Sequence, residues 1–249
     1  MNNHVTIRLE GGLGNQLFQL SFLMYMKSLG YSIFLDSIQS PRSYHSSVNY
    51  FETLLSKWNM YFSSKKSIFL SENRYLRWED WKQKVNITED VTLKGYFQRH
   101  EYTDPVREEF INSLTFDESV LQKYDISSKF FIHVRGGDYI VKPLHFIDLK
   151  QYYLNCMANH PGEEFIIFTN DIPYATRLFP NIPIIQESEV DTLLLMSRAK
   201  GCICANSSFS WWGAYLNTNR QIYLPSNWTT DVSIDSSAFH FEGSTVVQV

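Results

Sequence analysis

The chain has 249 residues, with 26 acidic and 22 basic side chains and a net charge of −4. At 44% hydrophobic and 19% charged residues it has the composition of a soluble globular protein, long enough for one large or two small domains. No Lys/Arg-rich tract and no apolar run long enough to span a bilayer occur, which argues against a general nucleic-acid binder and an integral membrane protein. The start, Met1-Asn2-Asn3-His4, has no basic or apolar targeting region, and the three cysteines, Cys156, Cys202 and Cys204, are an odd set; both point to reduced thiols and a cytoplasmic location.

In chain order, a strand is expected over residues 5–9, a glycine-rich turn over 10–14, an almost wholly apolar helix over 15–29 and a second strand over 31–35, closed by Asp36. This is a β-α-β start in which Gly12 and Gly14 let the backbone approach a ligand closely. The same residues sketch a dinucleotide fingerprint, with Asp36 near the position of a ribose-binding acid. The third glycine position is Leu17, however, and a tight turn without ligand fits at least as well. Residues 37–90 give no clear elements, although Trp58, Trp78 and Trp81 supply core-forming bulk and residues 63–67 read as an exposed loop. A strand is expected over 91–97 and a helix over 103–113, with Pro105 in its first turn. The domain boundary is placed between Leu114 and Asp125, dividing the chain into residues 1–118 and 119–249.

The second half alternates more clearly. Strands are expected over 129–135, 165–169, 182–185, 201–205 and 221–224, with helices over 149–160, 191–200 and 209–216. Short apolar runs separated by longer helical patterns indicate a parallel sheet with crossover helices, whose ligands sit beyond the carboxyl ends of the strands. His133, Arg135, Asp138, Asn170, Asp171, Asn206, Ser207 and Ser208 all map to that edge.

Several of these residue types suit a bound phosphate. Asn206, Ser207 and Ser208 lie on a strand-to-helix turn, where backbone N–H groups and the positive end of the helix dipole favour an anion; an ordinary Ser N-cap is the plainer alternative. Arg135, at a strand end before the Gly136-Gly137 pair, could grip phosphate through two parallel hydrogen bonds, or could serve in a surface ion pair. Asp138 could orient His133 or Arg135, take a proton from an incoming hydroxyl, or cap a turn. Ser188-x-x-Asp191 has the form of a capping box, though an acid there could also pair with a guanine edge. Phe209, Trp211 and Trp212 could stack on a base or sugar, or belong to the core. With no Asp-x-Asp pair and scattered histidines, no metal site is expected, and no Gly-x-Ser-x-Gly elbow is present.

Taken together, Gly11-Gly12-Leu13-Gly14-Asn15-Gln16-Leu17-Phe18-Gln19, Lys94-Gly95-Tyr96-Phe97-Gln98, His133-Val134-Arg135-Gly136-Gly137-Asp138-Tyr139 and Asn206-Ser207-Ser208-Phe209-Ser210-Trp211-Trp212-Gly213-Ala214 resemble the motifs of glycosyltransferase family 11, the alpha-1,2-fucosyltransferases. The resemblance covers the first twenty residues and most of residues 91–228. It implies an α/β, GT-B-like fold of two Rossmann-type domains facing a cleft, with the acceptor on the N-terminal side and a GDP-L-fucose donor held mainly by the C-terminal half. It also implies inversion at the anomeric carbon and neither metal nor cofactor. Carried over, His133 and Arg135 would meet the guanosine diphosphate, Asp191 the guanine, and Ser207 and Ser208 the phosphates, with Asn206 and Phe209 also binding the donor. Gly12 and Gly14 would lie close to the donor and Asn15 would face the reaction centre, where Arg135 and Asp138 are the catalytic candidates. The implied acceptor is a galactose-terminated oligosaccharide or lipid-linked glycan of a bacterial surface polymer, which allows peripheral contact with the inner membrane. Transfer of another GDP-linked deoxy-L-hexose such as colitose, and a non-catalytic nucleotide-sugar-binding module, are the alternatives. One departure stands out: the family pattern carries a second Arg where this chain has Gly136, in a pair that reads as a tightly bending backbone.

Overall fold

The computed structural model describes residues 4–36, 49–63, 67–72, 90–219 and 221–249. The chain divides into two compact units, Met1–Thr115 and Phe116–Val249. In the first, β1 (His4–Ile7), β2 (Ser32–Asp36), β3 (Phe62–Ser63), β4 (Ile68–Ser71) and β5 (Val91–Lys94) form a wholly parallel sheet in the order β3-β2-β1-β5-β4. The crossover from β1 to β2 is α1 (Leu13–Ser28), twelve of whose sixteen residues are buried. A helix so enclosed must satisfy its polar side chains internally. Gln19 does so by accepting from the Glu10 N–H at 3.0 Å and donating to the Gly95 carbonyl at 2.7 Å, which ties the turns after β1 and β5 together. Ser21 meets Thr103 at 3.0 Å.

The helix expected over 103–113 is divided. It comprises α2 (His100–Thr103), a 3-10 turn (Asp104–Val106) and α3 (Arg107–Asn112). Pro105 has no N–H to offer, so it sits in the tight turn and not inside one regular helix. Between β2 and β3 the described residues form two 3-10 helices, Tyr50–Glu52 and Ser56–Tyr61, with Trp58 buried. Trp78, Trp81 and residues 64–66 of the expected loop lie outside the described residues.

The second unit carries the sheet β10-β9-β8-β6-β7, again wholly parallel. Its elements are β6 (Lys129–Val134), α4 (Lys150–Ala158), β7 (Glu164–Thr169), α5 (Ile172–Leu178), α6 (Glu189–Arg198), β8 (Gly201–Ile203), α7 (Ser208–Tyr215), β9 (Ile222–Pro225) and β10 (Ser244–Val247). Five of the six β6 residues are buried, as expected for a strand covered on both faces. The strand expected over 182–185 is a single bridge between Ile184 and Ile167, because Pro183 can accept but cannot donate to the ladder.

The chain leaves β6 to one side to make β7, then returns to pair β8 on the other side of β6. The turns after β6 and β8 therefore part from each other at the carboxyl edge of the sheet. Such a switch point is where parallel α/β sheets open a crevice.

α7 is buried on almost every side. Trp211 and Trp212 are wholly enclosed; Trp211 stacks on Tyr215 at 4.6 Å and donates its indole N–H to the Phe239 carbonyl at 2.7 Å. The suggestion that these two rings stack on a ligand is thereby corrected, since both belong to the core. Cys156, Cys202 and Cys204 are free and buried, and burial raises all three thiols, Cys156 to about 12. Such thiols are unreactive.

Gly213 lets α7 lie close against α6: a Cβ placed there would come within 2.6 Å of both Cβ and Sδ of Met196. Gly213→Ala is therefore expected to destabilise the fold by about 1–3 kcal/mol through overpacking. An unchanged urea midpoint would contradict this packing.

Candidate active site

At the carboxyl end of β6, His133 is 4% exposed, and its backbone carbonyl accepts from the Tyr153 hydroxyl at 2.8 Å. Its Nδ1 is buried with no hydrogen-bond partner. Desolvation, helped by the nearby positive charge of Arg135, lowers its pKa to about 3, so the imidazole is neutral at physiological pH. The chain thus holds a buried, uncharged ring with one polar atom unsatisfied, two residues before Arg135 and within reach of its charge.

Arg135 is the first residue past the strand. Its Nη2 donates to Asp138 Oδ1 at 2.6 Å, and its guanidinium lies 4.7 Å from the centre of the Tyr139 ring. Its Nε is buried without a hydrogen-bond partner. Asp138 also accepts from Lys142 Nζ at 3.0 Å, so its carboxylate stands between two cations. Of the roles weighed for Asp138, holding Arg135 is the one this geometry displays.

The turn after β8 comes to the same place. Phe209, half-buried at the start of α7, lies 6.0 Å from His133 ring to ring, and Asn206 lines a narrow cleft together with Arg135, Tyr139 and His145. That cleft has room for about one water molecule. The Asn206 amide donates to the carbonyls of His145 at 2.9 Å and Trp228 at 3.0 Å. Both of its N–H groups are thus engaged in anchoring loops, and the side chain offers a ligand no donor. Ser207 is the N-cap residue of α7, but its side chain makes no capping hydrogen bond. The first N–H groups of a helix have no partner within it, so the start of α7 presents donors beside His133.

Asp191 stands in the first turn of α6. Its backbone N–H donates to Ser188 Oγ at 3.1 Å and its carboxylate accepts from the same hydroxyl at 2.7 Å, closing the capping box at the start of α6.

In the other unit, Gly12 is the N-cap of α1 and Gly14 is buried in its first turn. Asn15 Oδ1 accepts from Gln98 Nε2 at 2.8 Å, joining two of the sequence motifs at the carboxyl edge of that sheet. The main-chain N–H groups of Tyr96 and Phe97 are held by Glu72, at 2.7 Å and 3.0 Å to its Oε2. Nothing in the local sequence around Glu72 announces this contact. Asp36 receives both Nε and Nη2 of Arg8, at 3.0 and 2.8 Å, so the acid that sketched a ribose contact is paired within the fold. Leu17 is fully buried. Tyr139 and Tyr153, which pack on Arg135 and hold the His133 carbonyl, carried no signal beyond their aromatic character.

The state of His133 has a measurable consequence. An unfolded chain takes up a proton on this ring near pH 6.5, whereas the folded chain does so only near pH 3, so stability is lost as pH falls through that window. Between pH 7.5 and 5.5 the contribution is about 1.4 kcal/mol. Urea denaturation of wild type and His133→Asn at both values is expected to show that much less pH dependence in the variant; equal slopes would mean the ring titrates freely when folded.

The model of Glycosyl transferase family 11 matches residues 1–242. The O-antigen biosynthesis glycosyltransferase WbnK of Escherichia coli is 30% identical over 173 residues, which cover 58% of this chain and 57% of that protein. This chain thus spans little more than half the length of that relative. An alpha-1,2-colitosyltransferase of Escherichia coli is 26% identical, with 85% of this chain and 87% of that protein covered. Among solved structures, the alpha-1,6-fucosyltransferase NodZ of Bradyrhizobium, soaked with GDP-fucose, is similar with a TM-score of 0.53 at 12% identity, over 87% of this chain and 93% of that one. At that identity the likeness concerns the fold, and it agrees with an α/β, GT-B-like architecture built on two parallel sheets. With the family model matching almost its whole length, this chain belongs to glycosyl transferase family 11.

Proposed function

We propose that this protein transfers L-fucose from GDP-L-fucose to the 2-hydroxyl of a galactoside in a surface glycan, with inversion at the anomeric carbon. The observation that carries the reading is the convergence of Arg135, the neutral His133 and the N-terminus of α7 at the switch point between β6 and β8. That is a place suited to a diphosphate. In this reading residues 119–249 hold the donor and residues 1–118 the acceptor side, with Asn15 towards the reaction centre. The Escherichia coli relatives named for O-antigen biosynthesis and for alpha-1,2-colitosyl transfer support a surface polysaccharide as the destination. Among the described residues, no helix is long and apolar enough to cross a membrane.

The chemistry asked of the site is modest. An acceptor hydroxyl attacks the anomeric carbon as GDP departs, and negative charge grows on the leaving phosphate. Arg135 is placed to neutralise it, with its free Nε and one guanidinium edge beyond the Asp138 pair, while the α7 N–H groups provide further donors. His133 can donate to an oxygen from Nδ1 in the tautomer that carries the proton there, and burial keeps it from adding a charge of its own. Ser207 and Ser208 flank the same oxygens in this reading, and Phe209 covers His133.

A second donor has specific support. The colitosyltransferase is the relative aligned over most of both chains, and GDP-colitose differs from GDP-fucose by one missing hydroxyl. A panel of GDP-L-fucose, GDP-L-colitose and GDP-D-mannose with a galactoside acceptor, read by product linkage, decides between them. Transfer of fucose to O2 is expected. Transfer from GDP-colitose alone would replace the donor, and binding of GDP without transfer from any donor would make the chain a nucleotide-sugar-binding module.

Arg135→Lys keeps the charge but loses the flat, multi-donor geometry. Turnover is expected to fall by about a hundredfold to a thousandfold, the usual cost of losing a donor to developing charge, with unfolding unchanged. Near-normal turnover in that variant would contradict the role given to Arg135.

A further inference from the structure

The ladder between β6 and β7 ends at the pair Val134 and Thr169. Beyond it, three consecutive side chains continue the work of the strand. Thr169 Oγ1 donates to the Val134 carbonyl at 2.7 Å. Asn170 Oδ1 accepts from the Gly136 N–H at 2.9 Å, and its Nδ2 donates back to the Gly136 carbonyl at 3.3 Å. Asp171 Oδ2 accepts from the Gly137 N–H at 2.9 Å, while its Oδ1 accepts from the Tyr174 N–H at 3.0 Å and so caps α5. Arg135 is bracketed between the first and the second of these contacts.

The glycines fit this clamp for two different reasons. Gly137 has φ +60, the left-handed region that favours glycine. Gly136, at φ −118, has no such need. What it needs is space: a Cβ on Gly136 would lie 2.6 Å from Asp171 Cβ and 2.8 Å from its Oδ2. Asp171 is held at both oxygens, so it cannot swing clear without releasing either the Gly137 N–H or the start of α5. The space beside Gly136 is already filled by the side chain that fixes the turn.

The turn so fixed leads directly into Asp138 and Tyr139, the two groups that hold the Arg135 guanidinium. The Gly136 carbonyl that receives Asn170 also accepts from the Tyr139 N–H at 3.3 Å. Releasing the clamp would therefore move the backbone of Arg135 and both of its side-chain supports together. A displacement of about 1 Å at such a group can cost on the order of a hundredfold in rate.

We infer that Asn170 and Asp171 are positioning residues for Arg135, setting the direction in which its guanidinium leaves β6, and that Gly136 is glycine so that Asp171 can close on the turn. The inference rests on the reading of Arg135 as the group that meets the donor's diphosphate.

A double-mutant cycle tests it, with GDP dissociation constants from calorimetry and urea midpoints measured on the full chain. Asn170→Ala is expected to weaken GDP binding at least tenfold in the wild-type background and less than twofold when Arg135→Ala is already present, because its effect runs through Arg135. Its effect on the urea midpoint should be the same in both backgrounds. Gly136→Ala keeps both side chains but displaces Asp171, and should likewise weaken GDP at least tenfold. An Asn170→Ala effect of equal size in both backgrounds, or unchanged affinity in Asn170→Ala or Gly136→Ala, would overturn the inference while leaving the role of Arg135 standing. If Arg135→Ala itself leaves GDP binding unchanged, the reading of the site fails and the positioning role fails with it.

Discussion

Everything proposed for this protein depends on how β6 is placed in its sheet. It is flanked by β7, to which the chain goes first, and by β8, to which it comes back. Crossovers to opposite sides carry the connecting segments apart, and the carboxyl end of β6 is left open between them. Buried polar side chains gather there. His133, Asn206 and Ser207 are all less than a tenth exposed in a region otherwise made of apolar strand and helix.

That enclosure determines the electrostatics. A site with two permanent positive groups would bind a diphosphate strongly but at a high desolvation cost in the empty state. Here burial keeps His133 neutral, and Arg135 is the group that brings charge, already half-satisfied by Asp138. Asp138 limits how far the guanidinium can wander, and Lys142 shares its carboxylate. The local arrangement is therefore a directed cation over an uncharged floor. A helix start adds partial positive charge beside it without an ion of its own.

How legible this was in the amino-acid sequence differs from place to place. The ends of β6, β7 and α7 could be read to within a residue or two, because continuous apolar runs bounded by glycine or small polar residues leave few alternatives. α5 went unread although Asp171 and Pro173 mark its start as a cap and a first-turn proline would; a helix of seven residues gives too little periodicity to notice. β10 was missed because Ser244–Val247 is a short edge strand with two exposed residues and no alternation. Within the site, the polar residues at the sheet edge could be listed from the sequence, but their division of labour could not. Asn206 anchors loops through His145 and Trp228, which are 61 and 22 residues away along the chain. Gly136 suggested a backbone requirement, and the structure locates that requirement at Gly137. The constraint on Gly136 comes from Asp171, on another strand end, where only the fold brings them together.

The central claim is that the turns after β6 and β8 together hold the diphosphate of the donor. Hydrogen–deuterium exchange of the protein with and without saturating GDP tests it without depending on the acceptor or on turnover. Exchange is expected to slow at the amides of residues 133–137 and 206–210 together. Slowing confined to residues 8–16 of the other unit, or absent from both turns, would contradict the account.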